Sequence, residues 1–532
     1  MKTIHKFTIK ANALILALLT FVSCNDFLAE KPSKSSSVEI TTASHLDGLM
    51  AHFNDFIDEV NRAALFATDD YGVITALHDA TPYIYQSYYS SYTTACWDWD
   101  HFAQASSDNL WTNTGGGTSG GEWGKIFKAN TVLRYLDRVS GSDTEKARLK
   151  AEAHFVRAYS HWVLANVYCL PYTEANKNEM GLPLKRTLSF EESFERASLE
   201  ETYQFIEEDL QEALKCITPL VQEGRVKPWR ANTAAINGFA ARYYLNRNDY
   251  SQALAHANSA LNEYNTLMDY NTEMYYQNSA SVVIDRGTPQ EQTVTLQYPW
   301  TQRENNPSGI NYNDRMTTWK EFLYTRYLRA EGGYCIPSYE LLAIYDKEHD
   351  LRYKYHMISH FSYIRGANGS AGVPSYDHPG YIFYSTVAHI PSGPTTAEMY
   401  LIKAECQARL GDINPAMQTL NILRASRMEP GPWVNLSATN RDDAIKQILA
   451  ERRRELPFTQ RWYDIRRFDN NEDPNDDVGT ITRTFYKVDL TTVYGNEPPI
   501  TYTLEKNSRK YALPINNAEI MISNGVLKQN VY

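Results

Sequence analysis

The sequence predicts an all-α, mainly helical fold in which paired helices carry long irregular loop insertions. Apolar residues recur at helical spacing in several segments, and two of these segments are followed, across a short polar turn, by a second amphipathic helix. Residues 69–121 and 265–395 are rich in Tyr, Trp, Gly, Asn, Ser and Pro and show no helical period. At 532 residues the chain exceeds one ordinary core, so we expect a helical-repeat body or two domains.

The chain begins with the pattern of an export signal. A basic start with three lysines precedes an apolar run over residues 11–22, which is shorter than the roughly 20 residues needed to cross a bilayer. Ser23 directly before Cys24 is typical of a bacterial lipoprotein signal. We therefore predict a signal peptide over residues 1–23 and a single mature domain over 24–532, with acyl chains on Cys24 as a membrane anchor. Cleavage beside an unmodified Cys24 is the alternative.

Single helices are predicted from one-sided apolar spacing. The clearest lies over residues 151–168, where small and aromatic residues alternate on one face: Ala151, Phe155, Ala158, Trp162 and Ala165. The same criterion predicts helices at Glu122–Val139, Leu199–Cys216 and Asp442–Leu456. The tail carries short strand-like pieces, including Tyr511–Pro514, and then a small helix opened by the capping pattern of Asn516 and Glu519.

Two helix pairs place alanine on the seam between their helices. Ala234–Leu245 is followed across residues 246–250 by a helix carrying Ala253, Ala257, Ala260 and Leu261; Ala397–Leu410 is followed across Gly411 and Asp412 by a helix carrying Ala416, Leu420 and Leu423. Because alanine allows close helix packing, this is the unit of a tetratricopeptide-like repeat. The two turns differ in length, so the array is degenerate.

Charge and cysteine usage exclude some function classes. The net charge is −11 and becomes more negative once the three lysines of residues 1–23 are removed, which disfavours nucleic-acid binding. After Cys24 the cysteines are few, scattered and without C-x-x-C spacing: Cys96, Cys169, Cys216, Cys335 and Cys406. We expect mostly buried free thiols, with one disulfide as the alternative.

Several segments together resemble the RagB/SusD family of outer-membrane nutrient-binding lipoproteins. They are Cys24-Asn-Asp-Phe-Leu, Glu122-Trp-Gly-Lys-Ile-Phe-Lys-Ala-Asn130, Ala151-Glu-Ala-His-Phe-Val-Arg-Ala-Tyr159, Ala450-Glu-Arg-Arg-Arg-Glu-Leu456, Arg461-Trp-Tyr-Asp-Ile-Arg-Arg467 and Leu513-Pro-Ile-Asn-Asn-Ala-Glu-Ile520. One departure is Pro457-Phe458-Thr459-Gln460, which replaces the family's usual Phe-Glu-Gly turn.

The resemblance implies one helical body with a four-unit tetratricopeptide-like scaffold and a loop-built ligand face. It also implies a location at the extracellular face of the outer membrane, attached by the lipid anchor. The implied partners are an oligosaccharide or polysaccharide ligand and a SusC-like TonB-dependent transporter. The implied role is glycan binding without turnover, so the protein would not be an enzyme and would need no cofactor. A peptide- or protein-binding surface subunit is the first alternative interpretation, and a secreted glycosidase is the second.

Two charged clusters have a structural interpretation beside a functional one. The cluster of Glu451, Arg454, Glu455, Arg461, Asp464, Arg466 and Arg467 could form an anion or acid–base site, but Glu451 and Glu455 lie one helical turn apart. We expect them to pair with Arg461 or Arg467 in a structural network. The segment 473–479 spaces carboxylates as a calcium loop would, yet its glycine is misplaced, so we predict a solvated turn. No histidine pair supports a metal site.

Aromatic residues concentrate in the two irregular regions. Sugars offer apolar C–H faces beside hydroxyls, so flat aromatic rings with neighbouring carboxylates, amides or arginines suit them. Trp97-Asp98-Trp99 places two indoles at strand-like i, i+2 spacing with a carboxylate between them. Together with rings of the second region these form the predicted ligand site: Trp97, Asp98, Trp99, Tyr298, Trp300 and Trp319. The alternative is that these rings fill cores beneath long loops.

Overall fold

The computed structural model describes twelve stretches of the chain. They are residues 39–59, 61–72, 74–80, 121–189, 192–220, 229–285, 287–298, 319–330, 336–360, 380–381, 388–489 and 492–532. Its α-helices, α1 to α15, are Ala43–Met50, Arg62–Phe66, Thr75–Ala80, Gly121–Tyr135, Asp143–Tyr168, Leu199–Ala213, Thr233–Asn246, Tyr250–Glu263, Tyr339–Ala343, Leu351–His356, Thr396–Arg409, Ile413–Ala425, Arg441–Glu455, Arg461–Phe468 and Asn517–Ile522. None of the helices in these stretches has the length and apolarity of a membrane span.

Strands are short and few beside the helices. They are β1 to β11: Asp58–Glu59, Tyr275–Ile284, Gln292–Tyr298, Tyr327–Ala330, Met357–Ile358, Gly380–Tyr381, Ala388–Pro391, Ile481–Phe485, Val488–Asp489, Thr492–Val493 and Ile500–Leu504. Strand β4 lies between β1, its parallel neighbour, and β7, its antiparallel neighbour. The other strands form antiparallel pairs, β2 with β3, β5 with β6, β8 with β11 and β9 with β10. The mainly helical class is therefore confirmed.

Each segment predicted as a helix from its apolar period is a helix in the structure. Most ends shift by a few residues, but α5 begins at Asp143, eight residues before Ala151. Its first two turns are polar, so they carry no apolar period. The start is fixed instead by Ser142, whose hydroxyl accepts a hydrogen bond from the backbone N–H of Glu145 at 3.2 Å.

The two predicted helix pairs turn through left-handed residues. Asn248 has φ +59° between α7 and α8, and Gly411 has φ +99° between α11 and α12. Asparagine and glycine are the residues that tolerate this conformation at a helix end. The difference in turn length noted in the sequence leaves the pairing itself intact.

Alanine forms the seams of both pairs. In α8, Ala253, Ala257 and Ala260 are fully buried and pack with residues of α7 and α11 in one apolar cluster. In the second pair, Ala408 and Ala416 pack with α13 in another. Small side chains let neighbouring backbones approach closely, as the tetratricopeptide-like prediction requires. The scaffold is of this kind.

Residues 265–395 contain more regular structure than the sequence analysis predicted. The described part includes the β2–β3 hairpin, β4 to β7 and two short helices, α9 and α10. A period of two is present in β3, where Val294 and Leu296 alternate with threonine and glutamine. The surrounding Gly-, Asn- and Pro-rich sequence obscured it. In the other irregular region, α3 is helical and residues 81–120 lie outside the described residues.

The largest buried cluster joins residues from Ala43 to Leu527. At its centre Trp162 of α5 stacks on Tyr463 of α14, with ring centroids 4.6 Å apart and planes within 9°. Trp462, next to it, donates its indole N–H to the carbonyl of Asn166 at 2.9 Å. The arginine-rich segment of the second half is thus packed directly against α5.

The tail corrects one prediction and confirms another. Tyr511–Pro514 is not a strand: a 3₁₀ turn covers Arg509–Tyr511, and the N–H of Leu513 then donates to the Val167 carbonyl at 2.9 Å. The segment is extended against a helix end instead of a neighbouring strand, so no ladder forms. Asn516 does open α15, where its side chain accepts from the N–H of Ala518 at 2.7 Å.

The turn at residues 457–460 has a defined geometry. Phe458 is fully buried and takes φ +63°, in the left-handed region that large side chains rarely adopt. Its backbone N–H donates to Asp70 at 2.9 Å, and Asp70 also accepts from Arg453 at 2.7 Å. These hydrogen bonds to Asp70, which is distant in the sequence, stabilise the turn that replaces the family's usual Phe-Glu-Gly sequence.

The described cysteines agree with the prediction of free thiols. Cys169, Cys216 and Cys406 are buried and unpaired with one another. Burial raises the pKa of the Cys169 thiol, which keeps it protonated and unreactive. Cys96 and Cys335 lie outside the described residues.

Candidate functional site

The predicted ligand site lies mostly outside the described residues. Trp97, Asp98, Trp99 and Trp300 are among the residues left undescribed, and so is the predicted lipidation site Cys24. The remaining two residues both lie within the second aromatic region. Tyr298 is the last residue of β3, opposite Tyr275 of β2, and Trp319 opens the next described stretch.

Trp319 lies in the core. Only 5% of its surface is exposed, and its ring packs edge-on against Phe322 at 4.8 Å. A cavity of about 20 Å³ separates it from Tyr270 and His356, and that volume holds no more than about one water. In this conformation the Trp319 ring fills the core, as the alternative interpretation of the aromatic residues predicts. Its contact with a ligand stays a prediction.

A buried glutamate anchors the segment after Trp319 through a hydrogen bond and an ion pair. Glu321 is fully buried and accepts from the N–H of Met268 at 2.7 Å and from Arg427 at 2.8 Å. Burial raises the pKa of Glu321, as does the nearby Glu455, whereas Arg427 lowers it. Removing this arginine would leave Glu321 buried without its arginine partner and beside Glu455, whose remaining partner is Arg352. Arg427 therefore joins the segment to α13.

A second buried cluster joins the end of the first aromatic region to a residue within the second. Glu122, at the start of α4, follows the first region, and Arg326, directly before β4, lies within the second. Their side chains pair at 3.0 Å. Lys125 also bonds Glu122 and the Asp58 carbonyl; burial and Arg326 lower its pKa to about 8, although Glu122 opposes this. The fold thus brings the end of the first region next to an interior part of the second, beside the three-stranded sheet.

Sequence reasoning missed this cluster. Glu122 and Lys125 stand at i, i+3 on α4, a spacing that brings side chains together on one helix face. That local signal was available within the family-like segment. Arg326 gave no signal, because its partners are distant in sequence and only the fold brings them within reach.

A surface pocket of about 230 Å³ lies beside α4. One wall is the helix face carrying Trp123, Ile126, Phe127 and Asn130. The other wall comes from residues 183–189 and 192–194, and α15 contributes Glu519. In the sequence, Trp123 and Phe127 stood out only as part of the family resemblance. Their i, i+4 spacing was the available signal for a shared aromatic face.

The charged cluster around α13 is structural, as predicted, but with different partners. Glu451 pairs with Arg352 at 2.7 Å, Arg424 at 2.5 Å and Arg454 at 2.7 Å. Glu455 pairs with Arg352 and Arg427, each at 2.9 Å. We call these residues, with Asp350 and Glu321, the α13 ion-pair centre: Glu321, Asp350, Arg352, Arg424, Arg427, Glu451, Arg454 and Glu455.

The predicted pairing of Glu451 and Glu455 with α14 is wrong. Arg461 pairs with Asp69 at 2.6 Å, and Arg467 pairs with Glu405 at 2.6 Å. The left-handed turn at Phe458 reverses the chain, so the arginines of α14 face other elements. With every carboxylate engaged by arginine, the cluster has no free acid or base.

The turn at 473–479 is partly solvated, as predicted: Pro474, Asn475 and Asp477 are exposed, whereas Asp473 is buried. Asp473 lies 3.2 Å from Arg441 and 3.6 Å from Arg409, and Asp476 also pairs with Arg409. These arginines come from α11 and α13, so the turn is packed against the scaffold. Within the described stretches no three His, Cys, Asp or Glu residues are grouped to hold a metal ion.

Comparison with known proteins identifies the chain. A family model described as starch-binding associating with outer membrane matches residues 26–245, and the SusD family model matches residues 396–532. Together the two matches cover about two thirds of the chain. None of the curated proteins compared is similar enough to count as a match.

Solved structures share the fold. A Bacteroides vulgatus protein, provisionally described as sugar binding, is 18% identical with a TM-score of 0.60, covering 93% of this chain and 99% of its own. A SusD superfamily protein from Bacteroides thetaiotaomicron is 17% identical with a TM-score of 0.56, covering 92% and 100%. Surface glycan-binding protein A from Bacteroides uniformis is 14% identical with a TM-score of 0.54, covering 92% and 99%. By its two family matches, and with the fold these structures share, the chain belongs to the RagB/SusD family.

Proposed function

We propose that the protein binds glycans at the cell surface without turning them over and delivers them to a TonB-dependent transporter. The observation that carries this proposal is the family match at both ends of the chain, one model being described as starch-binding associating with outer membrane. The names of the structural relatives, sugar binding and surface glycan-binding, point the same way.

Membrane attachment would come from the N-terminus. In this proposal residues 1–23 are removed, Cys24 carries the lipid, and residues 24–532 form one body at the extracellular face of the outer membrane. The buried cluster that runs from Ala43 to Leu527 supports a single body, because it joins both matched parts of the chain. A tether followed by one packed body is the arrangement expected of a peripheral lipoprotein.

The ligand face would be built from the two aromatic regions. The proposed contacts are Trp97, Asp98, Trp99, Tyr298, Trp300 and Trp319. The Glu122–Arg326 ion pair supports the proximity of the two regions, because it joins the end of the first to a residue within the second. Trp319 is the member of this set whose surroundings are described in full, and its burial makes it the weakest of them.

Binding without catalysis agrees with the state of the carboxylates in the charged cluster. Acid–base chemistry needs a carboxyl group that can reach a substrate and exchange a proton. The side chains of Glu451, Glu455 and Asp464 are instead buried and held by arginines. We propose no reaction for this protein.

A ligand panel tests the main proposal. Purified residues 25–532 would be titrated by calorimetry with oligosaccharides of different linkage and with peptides, and the mixtures would be analysed by chromatography after long incubation. We expect one class of oligosaccharide to bind and to be recovered unchanged. Peptide binding in place of sugar binding would support the peptide-binding alternative, and shortened sugars would show an enzyme.

Tryptophan variants test the ligand face. Trp97→Ala and Trp300→Ala should each lose about 2 kcal/mol of binding free energy, roughly thirtyfold in affinity, with a nearly unchanged melting temperature. Tyr532→Ala is the matched control, because Tyr532 is a 43% exposed aromatic residue outside both regions. Normal affinity in both tryptophan variants would place the site elsewhere.

Two membrane experiments test location and partner. Cys24→Ala should leave a folded protein that no longer sediments with outer membranes in cells lacking the transporter. Affinity purification of the native protein in mild detergent should recover a large β-barrel transporter, which we propose contacts the helical-repeat body. Recovery of a free monomer, or full membrane retention of the variant, would contradict these two parts of the proposal.

A further inference from the structure

None of the described residues that line the pocket beside α4 is among the aromatic residues assigned above. The pocket is about 230 Å³ in volume and open to solvent between α4 and residues 183–189 and 192–194. We propose that this pocket is a second sugar-binding site, which takes one sugar ring of a longer glycan. This inference rests on the proposed glycan-binding function and adds a site to it.

The pocket is held in shape by buried hydrogen bonds. Asn130 of α4 donates to the carbonyls of Lys185 and Thr187 at 3.1 and 3.2 Å. Its own carbonyl accepts from Arg157 at 2.7 Å, and Arg157 is paired with Asp209 at 2.7 Å. The segment is therefore fixed to two scaffold helices before any ligand arrives, which lowers the entropic cost of binding.

The walls supply aromatic side chains. Trp123 and Phe127 come from α4, and Phe194 comes from the opposite wall. Phe127 is 49% exposed, so part of its ring is accessible to a ligand. Such rings suit the C–H face of a sugar ring.

The rim supplies a donor and an acceptor. Lys185 gives two of its three ammonium protons to the carbonyls of Glu192 and Ser193, at 2.8 and 3.1 Å, and its nitrogen lies 4.3 Å from the Phe194 ring centroid. The Glu192 carboxylate accepts from the N–H groups of Arg186 and Thr187 and keeps further lone pairs. Two neighbouring hydroxyls of a sugar could form hydrogen bonds with the Lys185 ammonium and the Glu192 carboxylate.

Size and position restrict the ligand. Pockets that hold drug-sized molecules span roughly 300–1,000 Å³, so this smaller one suits a single ring. Trp123 stands two residues after residue 121, where the first aromatic region ends, and Glu122 joins α4 to Arg326 within the second region. One long glycan could therefore occupy the aromatic face and this pocket together.

Two pocket variants and one control test the proposal. Phe127→Ala removes the exposed part of the wall, and Leu188→Trp fills the opening. Ile422→Ala is the control, because Ile422 is a 51% exposed apolar residue of α12 far along the chain. Each protein would be titrated by calorimetry with the longest oligosaccharide that the parent binds and with its shortest bound fragment.

We expect both pocket variants to lose about tenfold in affinity for the long oligosaccharide, with unchanged melting temperature. The short fragment should bind the parent at two sites and each variant at one, while Ile422→Ala behaves as the parent. Unchanged affinity and stoichiometry in both pocket variants would overturn the second site and leave the glycan-binding function standing. A parent that binds no oligosaccharide would instead refute the proposed function. Lower melting temperatures with unchanged sugar binding would show that the pocket packs against another part of this chain, which also overturns the proposal.

Discussion

The alanine seams and the α13 ion-pair centre are both buried, yet they are built in opposite ways. In the seam of α7 and α8, the contacting helices are adjacent in the chain and the side chains are small and apolar. In the ion-pair centre, Arg352, Arg427 and Glu451 come from three separate elements and carry full charges. At the seam, each van der Waals contact contributes little stabilisation, and the sum over many contacts is large. The centre is favourable only while its charges stay matched, because an unpaired buried charge is costly.

The largest effect is expected in the ion-pair centre. Glu451→Gln should destabilise the protein by about 3–5 kcal/mol, because three arginines share this carboxylate and would remain buried with less opposing charge. Urea denaturation would measure the loss. Glu174→Gln, at an exposed pair with Lys177, is the control and should cause no measurable change. Equal stability of both variants would show that the centre contributes nothing specific.

Acid should weaken the charged region at a defined pH. Burial raises the pKa of Glu405, but Arg467 and Arg409 outweigh it and hold the pKa at about 2, below the ordinary 4.5. A lowered pKa means that the carboxylate stabilises the fold fully above pH 4.5 and that this stability is lost as pH falls from 4.5 to 2. The loss should be on the order of 3 kcal/mol.

Glu405→Gln is the variant that identifies the source of this acid sensitivity. It should be less stable than the parent at neutral pH and should lose less stability between pH 4.5 and pH 2. Chemical denaturation at a series of pH values would compare the two proteins. Parallel curves for parent and variant would assign the acid sensitivity to other groups.

A larger side chain at the alanine seam should destabilise the protein by steric crowding. Ala257→Leu inserts a larger side chain at a fully buried seam position of α8 and should cost about 1–3 kcal/mol. Ala255→Leu, on the exposed side of the same helix, should stay within about 0.5 kcal/mol of the parent. If the two leucines cost the same, close packing at the seam is not what holds the pair.

The smallest effect is expected at a helix end. Ser198 and Glu201 form a capping box at the start of α6, with the serine oxygen 3.1 Å from the N–H of Glu201. Ser198→Ala should cost about 1 kcal/mol. Ser259→Ala, on the exposed surface of α8, removes a hydroxyl without a capping role and should not destabilise the fold. Thermal melts would compare the pair, and an equal loss in both would contradict the capping role.

The sequence predicted those parts of the fold whose partners are close in the chain. The helices, their alanine seams and the turns at Asn248 and Gly411 follow from local spacing and residue type. The β2–β3 hairpin was missed although its period of two is present, because the surrounding composition resembles a loop. Of the candidate site, Tyr298 and Trp319 could be named as residues, but the burial of Trp319 could not be predicted.

What the sequence determined by itself was the class of fold, the helix pairs and the resemblance to the family. What only the tertiary structure decided was which charge meets which: Glu451 with Arg352, Arg467 with Glu405, and Glu122 with Arg326. A helix face is formed by residues three or four positions apart, so its apolar pattern can be recognised within a short stretch of sequence. A buried ion pair between elements far apart in the chain is chosen by the whole fold, since any of several arginines could neutralise a given carboxylate until packing brings one of them within 3 Å.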